Sequence, residues 1–154
     1  MQLSDLIASD AVLCDVRANS KKQFLQLISE HAAKRVGADA RRIFETLSQR
    51  ERLGSTGIGN GVAIPHGKLE GLDGISVHFV RLAKPLAFDA MDDEPIDLAF
   101  LLLAPEGAGA DHLKALSRVA RVMREPQMLD RLRSAPDAAA IHQLLSQARQ
   151  PAAA

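Results

Sequence analysis

The chain has 154 residues, 47% of them hydrophobic and 25% charged, which suits one globular domain rather than two independent ones. Its 19 basic and 19 acidic residues balance, which excludes a global charge footprint for nucleic acid or an anionic membrane, and the single cysteine, Cys14, excludes an internal disulfide framework. The N-terminus lacks a signal-peptide pattern, and the longest apolar run, residues 98–104, is far shorter than the ~20 residues that span a bilayer, so we expect a cytoplasmic protein without membrane insertion.

The first third of the chain predicts two amphipathic helices. Before them, residues 2–7 fit a helical turn and residues 11–16 fit a short strand. Apolar residues then recur at steps of three and four over residues 20–37, which begin with a serine N-cap and end in glycine. A second helix with an aspartate N-cap is predicted over residues 39–52. Its buried residues are expected to be Ile43, Phe44 and Leu47.

The next stretch is rich in glycine and ends in a histidine. Four of the ten glycines fall within residues 54–61, where a backbone free to adopt positive φ can turn tightly and direct N–H groups at an anion. Residues 62–64 read as a short buried strand. Pro65 restricts its own backbone and that of the residue before it, and Gly67 lets the chain turn away. These neighbours are expected to hold His66 rigidly at the end of a strand.

Two longer strands are predicted in the middle of the chain. Residues 75–82 alternate apolar and polar side chains, as a half-buried strand does. Residues 83–95 carry turn residues at both ends and predict a loop. Residues 96–104 are almost uninterruptedly apolar, which is typical of a central strand covered on both faces of its sheet.

The last third of the chain predicts three helices. The first begins at Asp111, ends before Pro126 and has apolar residues at helical spacing. The residues expected to be buried on it are Leu113, Leu116, Val119, Ala120 and Met123. Shorter helices are predicted over residues 126–134 and, after an aspartate N-cap, over residues 138–149.

Strands interleaved with helices predict an α/β fold. We expect a single domain with a mixed β-sheet over residues 1–150. Residues 151–154, a proline followed by three alanines, are expected to form a disordered tail. The sequence contains neither an internal repeat nor a coiled-coil heptad pattern.

The segment over residues 54–69, GSTGIGNGVAIPHGKL, resembles the active-site segment of the EIIA domains of the mannitol/fructose class of the bacterial phosphotransferase system, most closely the nitrogen-regulatory branch. The resemblance continues through residues 88–90 and 95–98 to residues 111–113 and covers nearly all of the chain. It implies a mixed sheet flanked by helices. It also implies a phosphoryl carrier that works through a phosphohistidine.

Three residues are predicted to carry the chemistry. A neutral imidazole nitrogen can attack phosphorus in line, so His66 is the predicted phosphoryl acceptor. Arg50 matches the family's arginine at the end of the helix before the glycine-rich stretch, and its guanidinium suits phosphate oxygens. His112 stands in the His-Leu-x-x-Leu context in which the family has a histidine near the phosphorylated one, so the resemblance implies that it stabilises or orients that ring. Each residue has a plainer alternative as an ordinary strand-end or helix-end side chain.

Further residues of the segment are predicted to support the phosphoryl group. Ser55 and Thr56 either hydrogen-bond it or only shape the turn, and Gly67 completes this support. Lys68 either adds positive charge near the site or is an ordinary exposed lysine. The remaining histidines, His31, His78 and His142, lie in helix or strand patterns without a partner motif and are predicted to be structural or surface residues. The acidic residues 92–94 lack the spacing of a metal site and predict a solvated loop.

Other catalytic signatures do not fit the glycines. The Walker pattern requires four residues between its glycines and then Lys-Ser/Thr, whereas Gly61 and Gly67 enclose five and Lys68 precedes Leu69. A dinucleotide fingerprint fails because Val62 occupies the place of its third glycine. We therefore expect a carrier that needs neither a metal nor another cofactor, since phosphoryl transfer depends mostly on positioning and charge.

The resemblance implies specific partners. In one hypothesis the protein accepts a phosphoryl group on His66 from an HPr-like carrier protein (NPr). In a second, it is a regulatory binding module whose targets, such as potassium transport or sensor-kinase proteins, distinguish the phosphorylated from the unphosphorylated form. The alternative is a sugar-branch EIIA component that passes its phosphoryl group to a separate IIB protein.

Overall fold

The computed structural model describes residues 3–148, in which two helices follow the first strand, five strands come next and three helices end the described chain. The helices are α1 (Leu3–Leu6), α2 (Lys21–Val36), α3 (Ala40–Arg52), α4 (Ala110–Val122), α5 (Pro126–Ser134) and α6 (Ala138–Gln147). The strands are β1 (Val12–Val16), β2 (Gly57–Gly59), β3 (Val62–Ala63), β4 (His66–Leu69), β5 (Ser76–Leu86) and β6 (Ile96–Pro105). Residue 2 of the predicted first turn, residue 149 of the predicted last helix and the predicted tail at 151–154 lie outside the described residues.

The helix ends follow the capping residues of the sequence. The Ser20 hydroxyl accepts a hydrogen bond from Gln23 N at the start of α2, and Gly37 ends that helix in the left-handed region with φ 68°. Asp39 and Asp137 cap α3 and α6 with their carboxylates in the same way. The predictions of α2, α3, α5 and α6 are therefore confirmed within the described residues.

A mixed sheet joins all strands of residues 3–148. Its order is β1–β5–β6–β3–β2, and β4 also pairs with β6. The central strand β6 is antiparallel to β5 and parallel to both β3 and β4. Between β3 and β4 the Pro65 carbonyl accepts a hydrogen bond from Leu102 N at 3.0 Å, so the chain from Val62 to Leu69 follows one side of β6. The predicted α/β fold with a mixed sheet is confirmed.

Helices cover both faces of this sheet and create two apolar layers. Helices α1, α4, α5 and α6 pack on one face, and α2 and α3 pack on the other. Strand β6 contributes to both layers, as predicted for a central strand. Its buried side chains are Leu98, Phe100, Leu102 and Ala104 in the first layer and Ile96, Ala99, Leu101 and Leu103 in the second.

Strand β5 differs from its prediction in length and in burial. It extends to Leu86 instead of ending at residue 82, so the predicted loop shortens to residues 87–95. A register irregularity before Leu86 accommodates Pro85, which has no N–H to donate to the sheet. Residues 77–80 are buried on both faces, because helices lie above and below the strand. The prediction of a half-buried strand was therefore wrong.

Two smaller predictions also needed correction. Leu113 is 65% exposed, because α4 turns His112, Ala115 and Val119 towards the core instead. Phe44 is only half-buried at the edge of its layer.

The glycine-rich stretch turns tightly, as expected. It forms the β2–β3 hairpin, in which Asn60 and Gly61 make the turn with φ values of 57° and 79°.

Close packing between α3 and β4 brings the end of α3 towards His66. Gly67 of β4 lies against Thr46 of α3, and a Cβ at Gly67 would stand 2.6 Å from Thr46 Cγ2. The next nearest atoms, in Thr46 and Leu47, would be 3.7 and 3.9 Å away. Position 67 therefore requires a glycine because α3 lies so close. The Thr46 Cγ2 methyl group is the only atom that would clash with a Cβ there.

We expect Gly67→Ala to destabilise the fold by about 1–3 kcal/mol, because the added methyl group overpacks the contact with Thr46. Thr46→Ser removes Cγ2 but keeps a hydroxyl that can donate to the Arg42 carbonyl, as Thr46 does at 2.8 Å. The double variant should therefore recover most of the lost free energy of unfolding. Chemical unfolding of the four proteins measures this, and simple addition of the two single losses would contradict the contact.

Candidate functional site

His66 is the first residue of β4, and a hydrogen bond to the preceding chain holds its ring. Its Nδ1 lies 2.8 Å from the carbonyl oxygen of Ile64. A carbonyl oxygen can only accept a hydrogen bond, so Nδ1 carries the proton. Strand pairing with β6 opposite Leu102 holds the backbone, and the side chain is half-buried. The sequence prediction that His66 stands at a strand end on a rigid mount agrees with this geometry.

Arg50 reaches the other nitrogen of the same ring. Its Nε donates to His66 Nε2 at 3.3 Å, and its Nη1 donates to the Gly54 carbonyl at 2.9 Å. The residue lies in the last turn of α3, which ends next to β4. Because an arginine can only donate, Nε2 is the acceptor and therefore carries no proton. The contacts of Ile64 and Arg50 thus specify one tautomer of a neutral imidazole.

The surroundings of His66 favour this neutral form. Burial lowers the pKa of His66 below 6.5, and the nearby Arg50 guanidinium lowers it further. The Ile64 carbonyl and the Glu51 carboxylate act in the opposite direction, but the pKa remains lowered. The ring is consequently unprotonated near neutral pH, which a nucleophilic nitrogen requires.

His112 lies beside His66, in the first turn of α4. The ring centroids of the two histidines are 5.8 Å apart, and His112 is only 7% exposed. Its Nδ1 is buried and has no hydrogen-bond partner within residues 3–148. Burial, followed by the charges of His66 and Lys68, lowers the pKa of His112. The structure therefore brings Arg50, His66 and His112 together as the sequence predicts.

A surface cleft of about 520 Å³ opens in front of these three side chains. Its lining residues are Thr46, Gln49, Arg50, Leu53, His66, Gly67, Lys68 and His112. Lys68 follows His66 by two positions on β4 and therefore shares its side of the strand. Leu53 is 84% exposed at the rim, and Leu113, the neighbour of His112, is 65% exposed. The cleft thus combines two cationic side chains with an apolar rim.

Ser55 and Thr56 are engaged in contacts within the protein. The Ser55 hydroxyl donates to the Phe88 carbonyl at 2.6 Å and accepts from Gly57 N at 3.1 Å. Thr56 is 5% exposed, and both its N–H and its hydroxyl donate to the carboxylate of Glu51. Both residues shape the turn after α3 in this structure. Their contribution to phosphate binding, like that of Gly67, stays a prediction.

Two residues beside the site, Glu51 and Lys21, were not predicted from the sequence. Lys21 Nζ lies 3.0 Å from Glu51 Oε1 and 4.4 Å from the ring centroid of Phe88. One signal of Glu51 was present in the sequence: a carboxylate in the last turn of a helix opposes the helix dipole and needs a compensating partner. The identity of that partner follows only from the tertiary structure.

Residues 3–148 contain neither a cluster of metal ligands nor a helix that could span a membrane. No group of three or more histidine, cysteine, aspartate or glutamate side chains is arranged to hold a metal ion. Within the same residues, no helix combines the length and the apolar character that crossing a bilayer would require.

Comparison with known proteins links this site to one family. The family model for the phosphoenolpyruvate-dependent sugar phosphotransferase system, EIIA 2, matches residues 5–148. A nitrogen regulatory protein of Bradyrhizobium diazoefficiens is 52% identical over 146 residues, which are 95% of each chain. The nitrogen regulatory protein of Escherichia coli K12 is 43% identical and is matched over 95% of this chain and 90% of its own. The crystal structure of nitrogen regulatory protein IIA-Ntr from Neisseria meningitidis has a TM-score of 0.88 at 32% identity, covering 93% of this chain and 98% of that one.

We expect Arg50→Met to raise the pKa of His66, because it removes a positive charge that opposes protonation of the ring. Arg52→Met is the matched control, since Arg52 belongs to the same helix end but points to solvent. Titration of the His66 ring resonances by NMR measures both variants. An unchanged pKa in Arg50→Met, or an equal rise in Arg52→Met, would contradict the contact between Arg50 and His66.

Proposed function

Because the chain belongs to the EIIA type 2 family of the phosphotransferase system and its relatives are nitrogen regulatory proteins, we propose that it is the phosphoryl carrier of a nitrogen-related branch of this system. It accepts the phosphoryl group on Nε2 of His66 from the phosphohistidine of an HPr-like protein (NPr). The observation that supports this most directly is the pair of contacts around one ring, with Nδ1 on the Ile64 carbonyl and Nε2 facing Arg50.

These contacts suggest how the transfer proceeds. The Nε2 lone pair attacks phosphorus in line, and the P–N bond of the donor breaks as its imidazole leaves with the bonding electrons. The Nδ1 proton stays in its hydrogen bond to Ile64 O, where the carbonyl dipole offsets the positive charge that develops on the His66 ring. No proton has to leave His66 during the step.

Arg50 exchanges partners in this scheme. Its guanidinium breaks the hydrogen bond to His66 Nε2 and turns the freed donors towards the phosphoryl oxygens. The planar group can contact two of these oxygens at once. The hydrogen bond from Nη1 to Gly54 O anchors the side chain during this small movement. Lys68, on the same side of β4 as His66, adds a second positive charge facing the cleft.

His112 orients and shields the phosphorylated ring. It is buried, lies 5.8 Å from His66 between ring centroids and belongs to the first turn of α4. The α4 N-cap, Gly109, makes no side-chain capping bond, so the N–H groups of this turn favour nearby negative charge. This end of the helix and Arg50 flank the phosphoryl group from two directions.

The rim of the cleft fits a protein partner. The exposed Leu53 and Leu113 give apolar contact area that a small phosphodonor protein can cover, while the cleft itself remains open to a visiting imidazole. The same surface then carries the regulatory signal. Phosphorylation adds about 1.5 to 2 negative charges there, which changes the affinity for targets such as potassium transport or sensor-kinase proteins without requiring a change of fold.

We expect the protein to acquire one phosphoryl group when it is incubated with phosphoenolpyruvate, an EI-type enzyme and NPr. His66→Ala should remain unmodified, whereas His142→Ala, which changes a histidine of α6, should react like the wild type. Intact mass measures the addition, and heteronuclear NMR of the ring identifies the phosphorylated nitrogen as Nε2. Modification of His66→Ala, or a phosphoryl group on Nδ1, would refute the assignment.

We further expect phosphorylated and unphosphorylated protein to retain different target proteins in pull-downs, because the added charge lies on the interaction surface. His66→Asp serves as a partial mimic, and His66→Asn is its uncharged control. Identical sets of retained proteins for all forms would contradict a regulatory switch. Transfer of the phosphoryl group to a purified IIB protein would favour the sugar-branch alternative.

A further inference from the structure

A buried carboxylate lies directly behind Arg50, on the next residue of α3. Glu51 is only 9% exposed, and both of its carboxylate oxygens are occupied. Oε1 accepts from Thr56 N at 3.1 Å and lies 3.0 Å from Lys21 Nζ, and Oε2 accepts from the Thr56 hydroxyl. A buried charge is costly unless it is paired and hydrogen-bonded. This carboxylate has three donor groups around it, two of Thr56 and one of Lys21.

These partners come from separate parts of the chain. Lys21 is in the first turn of α2, and its Nζ also approaches the Phe88 carbonyl at 3.4 Å. The Ser55 hydroxyl donates to the same carbonyl at 2.6 Å. The start of α2, the end of α3, the turn over residues 53–56 and the loop after β5 therefore meet around Glu51.

The turn over residues 53–56 connects this cluster to the site. At its near end Gly54 N donates to the Glu51 carbonyl at 3.1 Å, and at its far end Thr56 is tied to the Glu51 side chain. Between these two points, the Gly54 carbonyl accepts from Arg50 Nη1 at 2.9 Å. The direction of that carbonyl thus depends on how Glu51 closes the turn.

We propose that Glu51 is a positioning residue for the phosphoryl transfer: by closing the turn on Thr56 it directs the Gly54 carbonyl, which holds Arg50 with Nε aimed at His66 Nε2. Lys21 neutralises the carboxylate and keeps it in place. Glu51 contacts neither the ring nor the phosphoryl group. Its effect on the rate of transfer rests on the proposed function, but its effect on Arg50 exists in the unphosphorylated protein.

A glutamine at this position is the most informative replacement. Its side chain has nearly the same shape, but it has one acceptor oxygen for the two donors of Thr56, and its amide group confronts the ammonium of Lys21. Thr56→Val is a second, milder variant, because it removes one donor and leaves the ion pair between Lys21 and Glu51 intact. Glu45→Gln is the matched control: Glu45 belongs to the same helix but forms an exposed ion pair with Arg41 at 3.3 Å.

The first measurement uses unphosphorylated protein and follows the Arg50 Nε–H and the His66 ring nitrogens by NMR. We expect hydrogen exchange of the Arg50 Nε–H to become roughly tenfold faster in Glu51→Gln and to increase less in Thr56→Val, since the hydrogen bond to His66 is populated less. Glu45→Gln should match the wild type. Thermal unfolding followed by circular dichroism establishes that each variant is folded at the temperature of measurement.

The second measurement is the rate of phosphorylation by phosphorylated NPr. We expect kcat to fall roughly tenfold to a hundredfold in Glu51→Gln, because a misplaced side chain at the reacting centre costs this much, while KM for the donor changes by less than about twofold. A folded Glu51→Gln or Thr56→Val with wild-type Arg50 exchange and wild-type kcat would overturn the proposal. If the wild type accepts no phosphoryl group, the proposed function fails, and the exchange measurement alone decides the role of Glu51.

Discussion

The two hydrogen bonds around the His66 ring are the constraint on which the site depends. A backbone carbonyl on one nitrogen and a guanidinium on the other leave the ring a single neutral tautomer and a single unprotonated nitrogen. Neither partner can reverse its role, because a carbonyl cannot donate and an arginine cannot accept. The hydrogen bond from Arg50 Nη1 to the Gly54 carbonyl helps to keep the guanidinium at this imidazole.

The architecture meets this requirement by placing three element ends side by side. The start of β4 carries His66, the end of α3 carries Arg50 and the start of α4 carries His112. Strand β6 is buried on both faces and pairs with β4, so it fixes the position of His66 in the sheet. Helix α3 packs closely on β4, which requires a glycine at position 67. This packing brings Arg50 Nε within 3.3 Å of His66 Nε2.

Much of this arrangement could be predicted from the sequence, because local signals specify it. Caps mark the helix ends, the apolar run of β6 marks the central strand, and the residues around Pro65 and His66 carry the family resemblance that points to the site. The predictions that failed concern contacts between elements that are distant in the sequence. Periodicity alone cannot tell which side of α4 meets the sheet, so Leu113 was placed inside although His112 faces inward. Similarly, no local pattern shows that helices cover both faces of β5 or that Lys21 reaches Glu51.

His78, in the middle of the sheet, makes the stability of the fold sensitive to acid. The residue is 1% exposed, and burial lowers its pKa to about 3, with smaller contributions from Arg35 and His31. The unfolded chain regains the ordinary value of 6.5, so unfolding between these two values takes up a proton and becomes easier by about 1.4 kcal/mol for each unit that the pH falls. Above pH 6.5 this contribution to stability is complete. The ring of His66, whose pKa burial also lowers, is likewise uncharged above pH 6.5, so both imidazoles are neutral where this contribution to stability is complete.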